Sequence, residues 1–518
     1  MRQLHQLALA FMALVAAIFL IGLLYWLFTC ACDRDGSRAD DGIGVVGPEV
    51  REDSRLGSVD PKRTEGAPYP PAEPVVEPTF VPNADHLNYP PVPVGPLRGK
   101  IEPNNPAIEI LSRDDAPSQE FDFEDYAEVD DVLPNLGSLG EVSVAENGET
   151  VMMTGNTWMA FSEDGGGSFT YVNPTTLFPQ DDGGLCCDQV VLYVPRYDLF
   201  VWLMQYRSST GSDGTTDNRI RIAVQSTQGI NSSNATAWTY WDFPSNVFSA
   251  GGSLDYNDMT ATGTSLYWNS MIAGGRVVVR IPLQELAEGV TVHYRYTGGT
   301  NAVFSHITQN PSNQVYWAGL VTTSELRVYN WPDGDNFYYS RTVNINSWPK
   351  DSESSITPDG TDWMAWEGGI TTYIYGNALQ GSNLWLAWQA GRGGGFPHPH
   401  VQMVSLNAST FAFQQQVQIW NPDFAFQDAF LSTNSEGKLG TSVGFGGGPW
   451  HGNHAVGVWG DFVVYYPDLS TRSVTRWGDY NTSRRSGSNP REWVAGGYTL
   501  QTDGSGNITV PHYIRFSH

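Results

Sequence analysis

Residues 158–169 read WMAFSEDGGGSF, a four-residue apolar run followed by a turn of acidic and glycine residues. The run, aromatic-aliphatic-Ala-aromatic, recurs at Trp363-Met364-Ala365-Trp366 and at Trp385-Leu386-Ala387-Trp388. Other strand-length runs, rich in β-branched and aromatic residues and bounded by turn formers, lie at 189–194, 199–204, 276–281 and 462–466. No long segment of helical period is evident outside residues 7–28, and 282–288 predicts one short helical turn at most. The sequence therefore predicts an all-β domain.

Internal repetition narrows the architecture. A second repeat, Trp459-Gly460-Asp461-Phe462 and Trp477-Gly478-Asp479-Tyr480, lies near the carboxyl end. Repeated strands that mix small and large residues are typical of sheets buried on both faces, as in the stacked blades of a β-propeller. A β-sandwich has similar strands, but the roughly 410 residues after position 105 are long for one sandwich. Because a four-stranded blade needs roughly 50 to 70 residues, we expect six or seven blades.

One turn matches the pattern S-x-D-x-G-x-x-F, through Ser162, Asp164, Gly166 and Phe169. This pattern resembles the Asp-box of sialidase-like (BNR) propellers, and Trp331-Pro332-Asp333-Gly334-Asp335 is a degenerate second copy. The resemblance covers residues 137–518 loosely and implies a sialidase-type propeller in which the box is structural. In such a box the Asp accepts hydrogen bonds from turn amides, the Gly takes an unusual φ, and the aromatic residue packs against the blade.

The sialidase resemblance also implies a catalytic set, which the sequence does not complete. Val279-Arg280-Ile281-Pro282 is similar to the family's R-I-P motif, whose Arg binds the sugar carboxylate bidentately. Here the motif follows the Asp-box, whereas in the family it precedes the boxes, so an edge-strand Arg before a turn proline is the alternative. The sequence does not identify the catalytic residues, and the candidates are Arg280, Glu367, Arg392, Arg476 and Tyr480.

The segment 476–484 is the strongest candidate for ligand binding. Sugars are bound by aromatic stacking together with charged or polar hydrogen-bond partners. This segment offers both in Arg476, Trp477, Asp479, Tyr480 and Arg484. The alternative is a closing blade, with Trp477 and Tyr480 in the core and Asp479 capping a turn. We therefore expect a surface recognition module for glycans or another extracellular ligand. A divergent glycoside hydrolase of sialidase-like fold or a polysaccharide lyase is the alternative, so enzymatic activity stays undecided, with a non-enzyme favoured.

Other residue classes exclude several functions. The formal net charge is −27 and only four lysines occur, so no basic cluster could displace counterions from nucleic acid. His398-Pro399-His400 and His451-Gly452-Asn453-His454 lack the helical spacing of zinc peptidases. We expect no cofactor and no catalytic metal, although the acidity leaves room for a structural cation such as calcium. Cys186 and Cys187 are neighbours that pair only with strained geometry, so no disulfide framework stabilises the domain.

The amino-terminal segment predicts a membrane anchor. Residues 7–28 are 22 uncharged, apolar residues, enough to cross the bilayer as a helix. The bulky Tyr25-Trp26-Leu27-Phe28 does not resemble a cleavage site, so residues 1–32 predict a cytoplasmic tip and an uncleaved signal-anchor. A lipid anchor at Cys30 or Cys32 is the alternative. Arg2 precedes the span and acidic residues follow it, which places the bulk of the chain at the cell surface or in a periplasm.

Residues 33–136 predict a linker, largely disordered, between this anchor and the propeller at 137–518. Proline clusters at 68–71 and 90–93 favour an extended polyproline-like spacer. An acidic run between Glu102 and Asp131 is typical of a solvated connector.

Overall fold

A computed structural model describes most of the chain from residue 42 onward. The described residues are 42–64, 92–116, 121–129, 133, 140–210, 216–248, 253–365, 373–475, 477–478, 480–503 and 506–518.

Seven antiparallel sheets follow one another along the chain as the blades of a seven-bladed β-propeller. The predicted all-β propeller is thus confirmed, with the larger of the two expected blade numbers. Strands of blades 1 to 3 are β6 (Ser143–Glu146), β7 (Val151–Thr154), β8 (Met159–Ser162) and β9 (Thr170–Val172); β10 (Leu185–Val194), β11 (Leu199–Tyr206), β14 (Arg219–Ser226) and β15 (Thr239–Pro244); and β16 (Asp255–Ala261), β17 (Ser265–Ile272), β18 (Gly275–Pro282) and β19 (Val292–Tyr296). A separate hairpin pairs β12 (Ser209–Thr210) with β13 (Thr216–Asp217).

Blades 4 to 7 complete the ring. Their strands are β20 (Gln314–Thr322), β21 (Glu325–Pro332) and β22 (Phe337–Asn344); β23 (Ile374–Gln380), β24 (Asn383–Ala390), β25 (His400–Asn407) and β26 (Phe413–Ile419); β27 (Ala425–Thr433), β28 (Leu439–Gly447), β29 (Trp450–Val458) and β30 (Val463–Tyr466); and β31 (Thr482–Arg485), β32 (Glu492–Asp503) and β33 (Gly506–Ser517). The helices are short: α1 (Pro174–Leu177), α2 (Thr227–Ser233) and α3 (Leu283–Glu288), with 3-10 turns at Arg113–Asp115, Pro195–Tyr197 and Ser245–Val247.

Each blade buries both of its faces, as the mixed small and large residues predict. On β24, Trp388 packs in the core shared with blade 4, whereas Trp385 packs in the core shared with blade 6. The related run at 363–366 differs from this prediction. Residues 363–365 form a turn outside any strand, with Trp363 packed edge-on against Trp477 at 5.9 Å, and Trp366 lies outside the described residues.

The segment before the first blade forms five more strands, which we call the belt. They are β1 (Gly44–Asp53), β2 (Arg55–Val59), β3 (Lys62–Arg63), β4 (Glu109–Ser112) and β5 (Asp122–Glu128). The first three extend the outer edges of blades 4, 3 and 2 in turn, and β4 adds a parallel strand to blade 6. β5 pairs with β33 and supplies the fourth strand of blade 7, so the amino-terminal side of the chain closes the last blade.

The belt differs from the disordered linker predicted for residues 33–136. Ladder hydrogen bonds to the free edges of the blades hold these strands, and β1 is exposed along most of its length. A strand held mainly through its backbone needs no apolar periodicity, so the sequence carried no signal for it. The described compact unit begins at Ile43, whereas the proline cluster at 68–71 lies outside the described residues.

The predicted anchor at residues 7–28 also lies outside the described residues. Among the residues that the structure does describe, no helix has the length and apolar character needed to span a membrane. The anchor therefore stays a prediction.

The turn at 162–169 joins β8 to β9 and is held by its own side chains. Asp164 accepts a hydrogen bond from the Ser168 amide at 2.8 Å, and the Ser162 hydroxyl accepts one from the Gly166 amide at 2.9 Å. Hydrogen bonds from the Ser162 and Ser168 hydroxyls lower the pKa of Asp164 to about 2. Gly166 has φ +106°, which favours glycine, and Phe169 packs against the core between blades 7 and 1.

Candidate functional site

The propeller axis is lined by the innermost strand of each blade. These are β6, β10, β16, β23, β27 and β31, and residues 305–309 take this place in blade 4 through parallel bridges to β23. Because these strands run in the same direction, they begin on one face of the propeller and end on the other. We call these the upper face and the lower face.

Four of the described innermost strands, β10, β16, β23 and β27, carry a bulge near their beginning, and in three of them a residue at the bulge has a left-handed backbone. The strand register shifts at Asp188 in β10, at Tyr256 in β16 and at Asp428 in β27. Each of these residues has a left-handed backbone, with φ of 48°, 50° and 54°. Bulges and left-handed non-glycine residues are enriched next to binding and active sites. These bulges therefore mark the axis as a candidate functional site.

An aromatic cluster fills the axis close to the upper face. Tyr256 stacks on His306 at 5.0 Å and meets Tyr373 edge-on at 4.9 Å, and Tyr373 stacks on Tyr375 at 5.2 Å. The Tyr480 ring lies 6.1 Å from His306. All five side chains are buried. Burial lowers the pKa of His306 to about 4, so its ring is neutral at pH 7.

A buried ion pair crosses the axis below this cluster. Arg484 of blade 7 lies 3.3 Å from Asp258 of blade 3, and only 3% of Arg484 is exposed. Arg484 also donates to the Met259 carbonyl at 3.2 Å and to the Gln309 side chain. Asp258 accepts from the Ile307 amide at 3.1 Å and from Gln309 at 3.0 Å. The pair thus connects blades 3, 4 and 7 through both terminal nitrogens of the Arg484 guanidinium.

Cys186 and Cys187 are joined by a disulfide at the beginning of β10. Gln205 donates to the Cys187 sulfur at 3.4 Å and to Asp255 at 2.7 Å, which links this strand to blade 3. A bond between neighbouring residues closes no loop of chain, so it removes little entropy from the unfolded state. It is a local feature of the upper face.

On the lower face the axis opens into a cleft of about 190 Å³, which we name the axial cleft. Its walls are contributed by five blades, through residues 145–146, 192–196, 260–262, 309–311 and 484–487.

Two arginines and a tyrosine supply the chemistry of the axial cleft. The exposed Arg196 donates to the Gly263 carbonyl at 2.6 Å, and Arg485 donates to the Thr433 carbonyl at 3.0 Å. A guanidinium has five N–H donors, more than these contacts use. The Tyr193 hydroxyl donates to Asp198 at 3.1 Å, and burial together with this carboxylate raises the pKa of Tyr193.

Glu146 is the acidic residue among those that line the axial cleft, and it is 1% exposed. It accepts hydrogen bonds from the Gly487 amide at 2.9 Å, from the Ser488 hydroxyl at 3.4 Å and from the Gly148 amide. These contacts hold it as a structural carboxylate that organises the loop at 486–488.

The catalytic candidates with described positions lie in different blades. Arg280 is on the third strand of blade 3, where it donates to the Pro332 carbonyl at 2.8 Å and lies over the Trp331 ring. Arg392 is exposed in the loop between β24 and β25. Tyr480 is buried near the beginning of β31. The structure does not bring these three into one cleft, and Glu367 and Arg476 lie outside the described residues.

The ligand-binding candidates occupy buried positions where they are described. Trp477 stacks on Tyr498 at 4.3 Å within the core between blades 7 and 1. Arg484 lies on the floor of the axial cleft but is engaged by Asp258. Asp479 lies outside the described residues. Their role in binding stays a prediction.

Sequence reasoning missed Tyr193, Arg196 and Asn310, which line the axial cleft. Each lies at the end of an inner segment or in the turn that follows, Tyr193 and Arg196 in blade 2 and Asn310 in blade 4. The feature that these residues share, and that could have identified them, is their position at the end of the innermost segment of a blade or just after it. Aligning the blades and comparing the residues after each innermost strand would have grouped them.

The histidine pairs lie apart from the axial cleft. His454 is buried and shares a 2.8 Å hydrogen bond with His512, and His400 stacks on Phe396 at 3.8 Å. His451 contacts the Ser473 hydroxyl at 2.7 Å. Over the described residues, no three His, Cys, Asp or Glu side chains converge as a metal site would require. A structural cation stays a prediction.

Comparison with known proteins gives only distant similarity. No family model and no curated protein matches the chain. Solved structures with a similar fold include a chain from the S. cerevisiae complex of Dbp5 with Nup159, Gle1, IP6 and ADP, at 7% identity and a TM-score of 0.36, covering 81% of this chain and 100% of that one. The SapL1 lectin in complex with alpha methyl fucoside has 9% identity and a TM-score of 0.33, with 65% and 98% covered.

A third similar structure is the exo-beta-1,3-galactanase from Phanerochaete chrysosporium, at 10% identity and a TM-score of 0.30, with 74% and 93% covered. Two of these three proteins are thus carbohydrate-related. At such scores the likeness carries no argument about the ligand or chemistry of this chain.

Proposed function

We propose that this protein is a recognition propeller that binds a glycan, or another polar extracellular ligand, in the axial cleft. The observation that carries the proposal is the cleft itself. It combines an apolar wall around Tyr193 and Pro195 with guanidinium donors from Arg196 and Arg485. Sugars have apolar C–H faces and hydroxyl groups on one ring, so they suit a site that offers both kinds of contact.

The lining of the axial cleft favours binding over hydrolysis. Most glycosidases use two carboxyl groups on either side of the scissile bond. Of the residues described as lining the cleft, Glu146 alone carries a carboxyl group, and backbone amides hold it. Elimination by a lyase would need a ready base, whereas the pKa of Tyr193 is raised. We therefore place the hydrolase and lyase alternatives second.

We also propose that the chain is a distant, non-catalytic relative of sialidase-like propellers. The self-contained hydrogen bonding of the turn at 162–169 supports this relation. A structure-guided alignment of the seven blades would test it. Equivalent turns between the third and fourth strands of other blades support the relation, and a turn confined to blade 1 argues against it.

The location outside the cytoplasm is part of the proposal and rests on residues 7–28. The full-length protein should stay in the membrane fraction after washing with carbonate, and protease added to intact cells or to spheroplasts should digest the propeller. A propeller that resists protease until the cytoplasmic membrane is broken would overturn the orientation.

A glycan array probed with the full-length protein in detergent tests the binding proposal. We expect Arg196→Gln to weaken binding of an array hit about tenfold or more, because a charged hydrogen bond contributes roughly 1.5–3 kcal/mol. Arg491→Gln is the matched control, since Arg491 is exposed in a turn of blade 7 outside the cleft. Equal affinity of the two variants would place the ligand elsewhere, and turnover of a polysaccharide would favour the enzyme.

A further inference from the structure

A second cavity of about 180 Å³ lies at the rim of blade 5, between β25, β26 and residues 100–104, which precede β4. Carboxamides dominate its lining. Five of them, Asn104, Asn346, Gln402, Gln416 and Gln418, surround the cavity together with the ring of Phe396. We call it the amide cavity. It is separate from the axial cleft, with which it shares no lining residue.

The side-chain amides form a chain of hydrogen bonds that begins at His400. Burial lowers the pKa of His400 to about 3, so the ring is neutral and one of its nitrogens is an acceptor. The Gln402 amide nitrogen lies 2.9 Å from His400 Nε2, and because an amide nitrogen can only donate, Nε2 is the acceptor in this contact. The Gln402 oxygen then accepts from the amide nitrogens of Gln416 at 3.0 Å and Gln418 at 3.4 Å.

This arrangement leaves Gln416 with an unused acceptor. Its nitrogen also donates to the Asn346 carbonyl at 3.2 Å, whereas its oxygen has no hydrogen-bond partner among the described residues. Gln416 is only 4% exposed. An unsatisfied buried carbonyl is destabilising, and this oxygen is closed to water in the structure, so a ligand hydroxyl can pair with it once the Gln416 side chain turns toward the cavity that it lines. Residues 100–104 supply the facing wall, where the backbone amide of Asn104 donates to the Gln418 side-chain oxygen at 3.2 Å.

We propose that the amide cavity is a second ligand site, which takes a neutral polyhydroxylated ring the size of one monosaccharide. The carboxamides bond to one another, but an amide group has two N–H donors and two acceptor lone pairs, so Gln416 and Gln418 keep capacity for ligand hydroxyls. The Phe396 ring, which stacks on His400, adds an apolar contact. The charges at the rim are opposite, since Lys100 and Glu102 lie 3.3 Å apart, so the site has no preference for an ion. The amide cavity binds its ligand whether or not the axial cleft binds one, so this proposal does not depend on the proposed function.

The test uses the full-length protein and three probes, the methyl pyranosides of glucose, galactose and mannose. Saturation-transfer NMR measures their binding. We expect Gln416→Met, which keeps the side-chain length but removes the acceptor, to weaken binding of at least one probe about tenfold. Gln415→Met is the control because Gln415 is exposed on the same strand. Thermal melting confirms that each variant is folded.

Two further measurements keep the outcome decisive. Arg196→Gln should leave probe binding at the amide cavity unchanged, so a loss in that variant alone would assign binding to the axial cleft and overturn this site. A crystal of the wild-type protein soaked in the probes should show a sugar ring beside Gln416. Ordered water only, at saturating probe, would overturn the proposal even if Gln416→Met fails to fold.

Discussion

Arg484 and Asp258 are the residues on which the centre of the propeller depends. Both are buried, and they connect blades 7 and 3 across the axis. Removing one partner of a buried pair leaves an uncompensated charge, which typically costs about 3–5 kcal/mol. We expect Arg484→Gln to lower the free energy of unfolding by about that amount in urea titrations. Arg491→Gln, at an exposed site, should change it by less than about 0.5 kcal/mol. Similar values for both variants would contradict this account.

Glu353 gives the stability of the protein a pH dependence. It is 7% exposed in the loop after β22, and burial raises the pKa of its carboxyl from 4.5 to about 8. Between these values the folded chain holds a proton that the unfolded chain has released. The contribution of Glu353 to stability is therefore greatest below the unfolded pKa and is lost as the pH rises through the folded pKa.

Glu353→Gln should remove this dependence, because an amide does not titrate. We expect nearly equal unfolding free energies for wild type and variant at pH 4. At pH 8.5 the variant should be more stable by an amount on the order of 3–5 kcal/mol. Urea unfolding at the two pH values measures both. Glu436→Gln, at an exposed site, is the control, and a Glu353→Gln effect that is the same at both pH values would refute the assignment.

At the scale of elements, the belt decides whether the ring of blades is closed. Phe121, just before β5, is buried and stacks on Tyr465 at 4.3 Å, and β5 completes blade 7 by pairing with β33. Without the belt, long strand edges would be exposed and prone to aggregate.

We expect a fragment of residues 42–518 to be soluble and monomeric, whereas 130–518 should aggregate or fail to fold. Size-exclusion chromatography and far-UV circular dichroism distinguish the two results. Within the full chain, Phe121→Ala should lower the free energy of unfolding by about 3–5 kcal/mol. A 130–518 fragment that melts at the same temperature as 42–518 would show that the belt is dispensable.

The strands of the blades could be predicted from sequence because each buries both faces. The runs at 189–194, 199–204, 276–281 and 462–466 all coincide with strands β10, β11, β18 and β30 within a few residues. The belt strands could not be predicted from sequence, because a strand with exposed faces has no apolar pattern. The strand predicted at 363–366 was wrong at residues 363–365 for the opposite reason. Its residues share the apolar composition of a strand but pack as a loop between blades.

The candidate site was less predictable than the fold, because it depends on contacts distant in sequence. Arg484 was singled out for its neighbours in sequence, whereas its contacts are with Asp258 and Gln309, far away along the chain. The axial cleft likewise draws on five blades. The spacing of residues along the chain does not show such long-range contacts. The sequence therefore supplied candidate residues but did not show which of them form one site.

At the scale of the whole molecule, the ring positions the axial cleft. Each wall segment of the cleft lies at the end of the innermost segment of its blade or just after it, so the geometry of the site depends on closure of the ring that holds these five blades together. Loss of the belt or of the Arg484–Asp258 pair should therefore reduce ligand binding together with stability. Arg196→Gln should reduce binding alone, because Arg196 is exposed.

The central claim is that the axial cleft binds its ligand without converting it. The direct measurement is mass spectrometry of a glycan that the array identifies, incubated with equimolar full-length protein for many hours. We predict that the glycan is recovered intact, with no unsaturated or hydrolysed product, while Arg196→Gln binds it about tenfold more weakly. A product that forms with wild-type protein and disappears in Arg196→Gln would contradict the claim and identify the cleft as an active site.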